Sequence, residues 1–207
     1  MNAIMVKIFD TLAKVGLDKL ERALIFGAVL VTVLALAVGA VEMSYAWVAF
    51  LFRWLHVVSG VMWIGLLWYF NFVQIPSMPK IPDEQKPAIS KVIAPTALFW
   101  FRWAALSTVV TGLLVAIMNG YLVNALILGI GTGGRDTYIG IGMWMGLIMA
   151  YNVWMIIWPN QRKVLGMVAA SDEEKKAAAR TAMLASRFNT MFSIPMLYFM
   201  VAAQNVS

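Results

Sequence analysis

The feature that most constrains this chain is a series of apolar runs, each about 20 residues long. One of them, "ALIFGAVLVTVLALAVGAV" from Ala23 to Val41, contains no charged residue. A helix of this length crosses the hydrocarbon core of a bilayer, where only helices and closed barrels satisfy their backbone hydrogen bonds. Charged residues make up 13% of the chain and hydrophobic residues 62%, whereas soluble domains are about 25% charged. The sequence therefore predicts an all-α integral membrane protein.

Five such runs predict a bundle of about five transmembrane helices that forms one domain over residues 22–207. The predicted spans are residues 22–43, 46–74, 96–118, 137–158 and 187–203. Pro159 is expected to end the fourth span, and Pro195 to kink the fifth without ending it. Residues 119–134 either lengthen the third helix or form a short extra segment.

The N-terminal residues 1–21 have apolar side chains at helical spacing, interspersed with lysines. This pattern predicts an amphipathic helix on the cytoplasmic membrane surface. Because its charges are spread along its length, it does not resemble a cleavable signal peptide, and we expect it to stay on the protein.

The positions of the sixteen Lys and Arg residues predict the orientation. Thirteen lie on one side of the predicted spans, Arg135 lies in a loop on the other side, and Arg53 and Arg102 lie within spans. Because basic loops stay in the cytoplasm, the N-terminus is predicted to be cytoplasmic and the C-terminus periplasmic, in a bacterial cytoplasmic or intracytoplasmic membrane. The net charge of +6 fits this topology and attraction to anionic lipid, so no nucleic-acid partner is expected.

The sequence contains no cysteine, which excludes disulfides, thiolate metal sites, iron–sulfur clusters and covalently attached c-type haem. No Asp or Glu lies in the interior of a predicted span, since Glu42 is at the outer end of the first, so a general acid–base pair is hard to assemble there. We therefore assign no catalytic residue.

A candidate site comes from "FRWLHVVSGVMWIGLLWYF", residues 52–70. On a helix, His56, the only histidine, shares a face with Arg53, Gly60 and Trp63. A histidine beside a glycine gap is how many membrane cytochromes hold haem b, so His56 is a candidate ligand of haem iron. Alternatively, Gly60 lets another helix pack closely while His56 hydrogen-bonds across the interface. Spacing favours this packing alternative.

A second pattern is a stripe of small residues on the fourth span, formed by Gly142, Gly146 and Ala150. Such a stripe allows close helix contact, inside the bundle or with another subunit. Downstream, Ser171 is placed to cap an Ala-rich cytoplasmic helix.

Four segments in order resemble the membrane domain of the bacterial membrane-bound urate oxidase family, known as the urate oxidase N-terminal domain. They are "WLHVVSGVMWIGLLWYF", "APTALFWFRW", "GIGMWMGLIMAYNVWMIIWPNQRKVLG" and "SRFNTMFSIPMLYFM". The likeness covers roughly residues 45–203. In that family further spans and a cytochrome c domain follow, so the resemblance implies oxidation of urate with transfer of electrons to that haem.

The chain also departs from the family pattern. Histidine is common in the family where this chain has Phe99 and Phe188, and glutamate is common where it has Ala104. Because the sequence stops at Ser207, the later spans and the cytochrome c domain are expected to be absent. With His56 alone, bis-histidine haem ligation within one chain is impossible.

Three functions remain open. The first is a non-catalytic integral subunit of a larger redox or monooxygenase-type complex. The second is a b-haem or quinone-linked electron-transfer protein that uses His56, with the other haem ligand from a partner or a second copy. The third is a urate oxidase component that passes electrons to a separate cytochrome c. Expected partners are membrane lipid and other integral subunits or a second copy of the chain.

Overall fold

The computed structural model describes residues 3–206, and within that range the chain forms helices and no strand. The helices are α1 (Ala3–Val15), α2 (Leu20–Ala37), α3 (Tyr45–Lys80), α4 (Lys86–Met118), α5 (Leu122–Leu126), α6 (Gly134–Val164) and α7 (Asp172–Asn205). Four of them, α2, α3, α4 and α6, are long and apolar enough to cross a membrane. The predicted all-α class is confirmed.

The fifth predicted span, residues 187–203, lies within the 34-residue helix α7, which is not among these four. The helix begins at the predicted cap. The Ser171 hydroxyl accepts a hydrogen bond from the Glu174 backbone N–H at 3.2 Å, and the Glu174 carboxylate accepts one from the Ser171 N–H at 2.7 Å. The latter bond lowers the pKa of Glu174. Pro195 lies inside α7 and does not end it.

Three long helices continue through a proline by widening one turn. The wider, π-helical turns are Tyr69–Gln74 in α3, Ile89–Ile93 in α4 and Asn152–Ile157 in α6. Each ends two residues before a proline, namely Pro76, Pro95 or Pro159. Proline lacks an N–H and its ring clashes with the carbonyl four residues earlier, so a wider turn lets the helix continue. For this reason α6 runs on to Val164 instead of ending at Pro159.

The chain divides into two compact units, the first ending at Val48 and the second beginning at Ala49. The first unit contains α1, α2 and the first turn of α3. Among its described residues only Gly16 is buried, and α2 buries none of its side chains. Such exposure is typical of a helix that lies against lipid or another subunit.

The second unit has one hydrophobic core, to which α3, α4, α6 and α7 all contribute. Its most deeply buried apolar side chains are Trp63, Leu67, Phe101, Met149 and Val153. This core occupies the half of the unit that contains the C-terminal part of α3 and the N-terminal part of α4. A cavity occupies the other half.

Candidate functional site

The cavity has a volume of about 670 Å³ and lies between α3, α4, α6 and α7. Small-molecule sites in proteins usually measure roughly 300–1,000 Å³ and are mostly apolar, as this one is. Along α3 its lining runs from Arg53 to Trp68, roughly 22 Å of helix at 1.5 Å per residue. The predicted site residues His56, Gly60 and Trp63 also line it, so all four lie on one wall.

The imidazole of His56 links α3 to α4. Its Nδ1 lies 2.8 Å from the backbone carbonyl oxygen of Thr108. Because a carbonyl only accepts, Nδ1 donates the proton, and in the neutral ring Nε2 is then unprotonated. Nε2 has no hydrogen-bond partner among residues 3–206. The histidine thus makes the interhelical bond of the packing alternative and still offers a free nitrogen beside the cavity.

Gly112 on α4 makes room for that imidazole. A Cβ atom at Gly112 would lie 2.8 Å from Cε1 and 3.0 Å from Nδ1 of His56, which is too close for any larger residue without a shift. At Gly60 the nearest atom to a Cβ would be Thr108 Cγ2 at 3.9 Å. The glycine notch that receives the imidazole therefore lies on the facing helix. Sequence reasoning missed Gly112, because spacing within one helix does not show what faces it.

Two arginines and a tyrosine line one end of the cavity. Arg53 Nη2 donates to Asn119 Oδ1 at 3.3 Å, and the guanidinium carbon of Arg135 lies 5.1 Å from the ring centre of Tyr121. Burial raises the pKa of the Tyr121 hydroxyl, and the positive charges of Arg53 and Arg135 partly oppose that rise. Both charges are therefore close enough to act on the same group.

The end of α4 positions Tyr121. Gly120 has φ +72°, a left-handed conformation that glycine adopts without steric cost. The N–H of Tyr121 then donates to Ala116 O at 3.1 Å, and that of Gly120 to Ile117 O at 3.0 Å. These two bonds form a Schellman motif, which turns the chain sharply at the mouth of the cavity.

Two nitrogen atoms in the lining are buried without a partner: Arg53 Nε and Trp63 Nε1. Trp63 is only 1% exposed. A buried donor without a partner costs about 1–3 kcal/mol. No Asp or Glu is among the lining residues, and the ion pairs in the part of the chain that the structure describes join Lys86 to Asp83 and Lys175 to Asp172.

The predicted small-residue stripe on α6 divides between two environments. At Gly142 a Cβ would lie 3.2 Å from Met200 Cγ, so this glycine packs closely against α7. At Gly146 no heavy atom of another element lies within 4 Å, and this residue lines the cavity. Ala150 belongs to the core. One member of the stripe thus opens space for a ligand.

Away from the arginines, polar side chains pair with each other across helices. Asn152 Nδ2 donates to Asn189 Oδ1 at 2.9 Å, and Asn189 Nδ2 donates to Met149 O at 2.9 Å. Asn71 Nδ2 donates to Ser186 Oγ at 2.7 Å. We call Asn71, Asn152, Ser186 and Asn189 the asparagine network.

Phe99, Ala104 and Phe188, the positions where the resembling family commonly carries histidine or glutamate, do not line the cavity. Within residues 3–206 there is also no group of three or more His, Cys, Asp or Glu side chains that could hold a metal ion. Any metal-binding role of this cavity would depend on His56.

Residues 130–205 match the family described as "Urate oxidase N-terminal". The matched segment contains all of α6 and α7. Over this segment the resemblance to a urate oxidase N-terminal domain is confirmed. No curated protein and no solved structure matches the chain.

Proposed function

From the match of residues 130–205 to the urate oxidase N-terminal family, we propose that this chain is a non-catalytic, membrane-embedded subunit of a larger redox or monooxygenase-type complex. In this proposal α2, α3, α4 and α6 span a bacterial cytoplasmic or intracytoplasmic membrane. The apolar C-terminal half of α7 is the fifth span. The N-terminus is cytoplasmic and the C-terminus periplasmic, as the lysines and arginines indicate.

The proposal rests on the chemistry of the cavity. Its lining contains one histidine and two arginines but no carboxylate, and Nδ1 of that histidine is already bonded to Thr108 O. Nε2 is free to accept a proton, but a general acid–base pair needs a second titratable group, and the lining offers no Asp or Glu to supply it. The asparagine network, which supplies most other buried polar groups, is occupied with bonds between helices. This arrangement suits packing and binding better than catalysis.

A second function, haem-linked electron transfer, is favoured by the free Nε2 of His56. Histidines that ligate metals usually donate their other ring nitrogen to a carbonyl or carboxylate, as Nδ1 does here to Thr108 O. The acid groups of a haem would find Arg53 and Arg135 at the cavity end. Methionines 143, 196 and 200 line the same cavity, and methionine serves as a second axial ligand in some cytochromes.

Two substitutions of His56 separate these functions. The chain is purified gently from its native membrane, and co-purifying subunits and the dithionite-reduced minus oxidised spectrum are recorded. We expect His56→Ala to weaken assembly and His56→Asn to restore it, because the asparagine amide can donate to Thr108 O. Neither change should alter the spectrum. A haem b band that follows the wild-type chain and disappears in both variants would instead assign electron transfer.

The third function is tested on membranes. We expect no urate-dependent reduction of cytochrome c above that of membranes lacking the chain. Such activity, or a wild-type chain that purifies from mild detergent with no other subunit, would overturn the proposal of a non-catalytic subunit.

A further inference from the structure

We infer that the cavity binds an anionic amphiphile, with its acid group between Arg53 and Arg135 and its apolar body along α3, α6 and α7. This inference is independent of the proposed function, since it requires neither a partner subunit nor a metal ligand. It concerns the chemical class of the ligand, a carboxylate or phosphate attached to an apolar chain or ring.

The first reason is that the two arginines have no acidic partner among the described residues. Both line the cavity, and neither has a carboxylate partner among the described residues. Arg53 uses Nη2 for Asn119 and its Nε is buried and unpaired, while Nη1 is not among the buried atoms and has no hydrogen bond among the described residues. Arginine binds carboxylate and phosphate oxygens through a fork of such N–H groups. The guanidinium of Arg53 therefore presents an unused donor of the kind that an acid group accepts from.

The second reason is the sign of the local charge. Arg53 and Arg135 both act on the hydroxyl of Tyr121, so two positive charges share one end of an otherwise apolar cavity. Arg53 is partly buried, where an ionised side chain among apolar helices is costly unless it is paired or hydrated, whereas Arg135 is exposed. With no Asp or Glu in the lining, an anion from outside the chain supplies the missing pair.

The third reason is the apolar wall beyond the arginines. Gly60, Gly65 and Gly146 line this region, and at Gly65 and Gly146 no heavy atom of another element lies within 4 Å of a Cβ position. Aliphatic side chains surround these bare helix surfaces, among them Val61, Leu147 and Leu197. An acid without an apolar part would fill only one end of this space. The shape thus calls for an amphiphile.

The test uses the full chain in a neutral detergent and the quenching of tryptophan fluorescence by a brominated fatty acid. Trp63 and Trp68 line the cavity, so a ligand seated there lies beside two reporters. We expect saturable quenching by brominated palmitic acid and much weaker quenching by its methyl ester, which has the same chain but no charge. Equal quenching by acid and ester would overturn the inference.

Charge substitutions locate the acid group. Arg53→Gln and Arg135→Gln should each weaken binding of the acid about tenfold, the effect of losing a charge-assisted hydrogen bond. Arg187→Gln is the matched control, because Arg187 is exposed on α7 outside the cavity and carries the same charge. If all three variants bind the acid as the wild type does, the site is not between these arginines and the inference fails.

A filling substitution locates the apolar body. Gly146→Leu adds a side chain where space is open and should reduce quenching at least as much as either arginine variant. Gly27→Leu on α2 is its control, since Gly27 also has no heavy atom of another element within 4 Å but lies outside the cavity. Equal binding by these two variants would contradict the assignment of the apolar body.

Three sources can supply the acid group, and the same samples distinguish them. Stronger competition by palmitic acid than by lysophosphatidic acid assigns a fatty-acid carboxylate, and the reverse assigns a lipid phosphate. Haem b that is present in the wild type and lost in Arg53→Gln with Arg135→Gln assigns the carboxylates of haem. Each result supports the shared chemistry of an acid on an apolar body.

Discussion

The asparagine network and the cavity differ in how their buried nitrogen atoms are paired. In the asparagine network every amide nitrogen has an acceptor, although Asn71 Oδ1 is buried without a donor: Asn152 donates to Asn189, Asn189 to Met149 O, and Asn71 to Ser186. At the cavity end, Arg53 Nε and Trp63 Nε1 are buried without an acceptor.

The difference separates two roles for polar residues among apolar helices. A closed set of hydrogen bonds fixes how helices pack and leaves nothing for a ligand. Donors without acceptors lower the stability of the protein without a ligand, and this stability is recovered when a ligand supplies the acceptors. His56 belongs to both sets, with one nitrogen bonded to Thr108 O and the other beside the cavity. Substitutions at the two ends should therefore differ in what they change.

The largest effect on stability is expected in the closed network. Asn189 is fully buried and joins Asn152 to Met149 O, so Asn189→Leu leaves the side-chain amide of Asn152 without its acceptor and removes one of the bonds to Met149 O. We expect a loss of about 2 kcal/mol in the free energy of unfolding, measured by denaturation in detergent. Asn160→Ala is the control, because the Asn160 amide bonds only to Ile156 O in its own helix. An equal loss in both variants would show that the asparagine network stabilises the protein no more than a hydrogen bond within one helix.

A smaller effect is expected where His56 meets α4. Gly112→Ala places a methyl group against the imidazole, which must move and weaken its bond to Thr108 O. We expect a loss of about 1–2 kcal/mol in thermal or chemical unfolding. Gly65→Ala introduces the same group into open space, and its better helix propensity should leave stability equal or slightly higher. A neutral Gly112→Ala would show that the notch does not position the histidine.

The smallest effect is expected for two tryptophans of α3, Trp63 and Trp68. Trp68 Nε1 donates to Ser193 Oγ at 3.0 Å, whereas Trp63 Nε1 has no partner. Both changes remove packed ring atoms, but Trp68→Phe also loses a hydrogen bond of about 1 kcal/mol, whereas Trp63→Phe removes a donor that has no acceptor. The two free energies of unfolding are measured in ligand-free protein. No loss in Trp68→Phe would contradict a contribution of its hydrogen bond to Ser193.

The sequence was informative where one uninterrupted helix was concerned. Arg53, His56, Gly60 and Trp63 lie before the wide turn of α3, so their spacing alone placed them on one face, and the structure lines one cavity wall with them. The cap at Ser171 was likewise predicted from local chemistry and is present.

Contacts between residues that are far apart in the sequence could not be predicted in this way. Gly112 lies 56 residues after the histidine that it accommodates, and no pattern within α4 shows that contact. Arg135 follows a glycine-rich loop and was assigned to topology alone, although it shares the cavity end with Arg53. Both assignments required knowing which helices are neighbours.

The three wide turns also change the direction in which later side chains of each helix point. A residue of an α-helix is rotated by about 100° from the one before it, and a π turn holds roughly one residue more than an α turn. Beyond Tyr69–Gln74, Ile89–Ile93 and Asn152–Ile157, the phase of each helix is therefore offset from its first part. A related chain with regular helices would align with this one only through single-residue gaps at these three places.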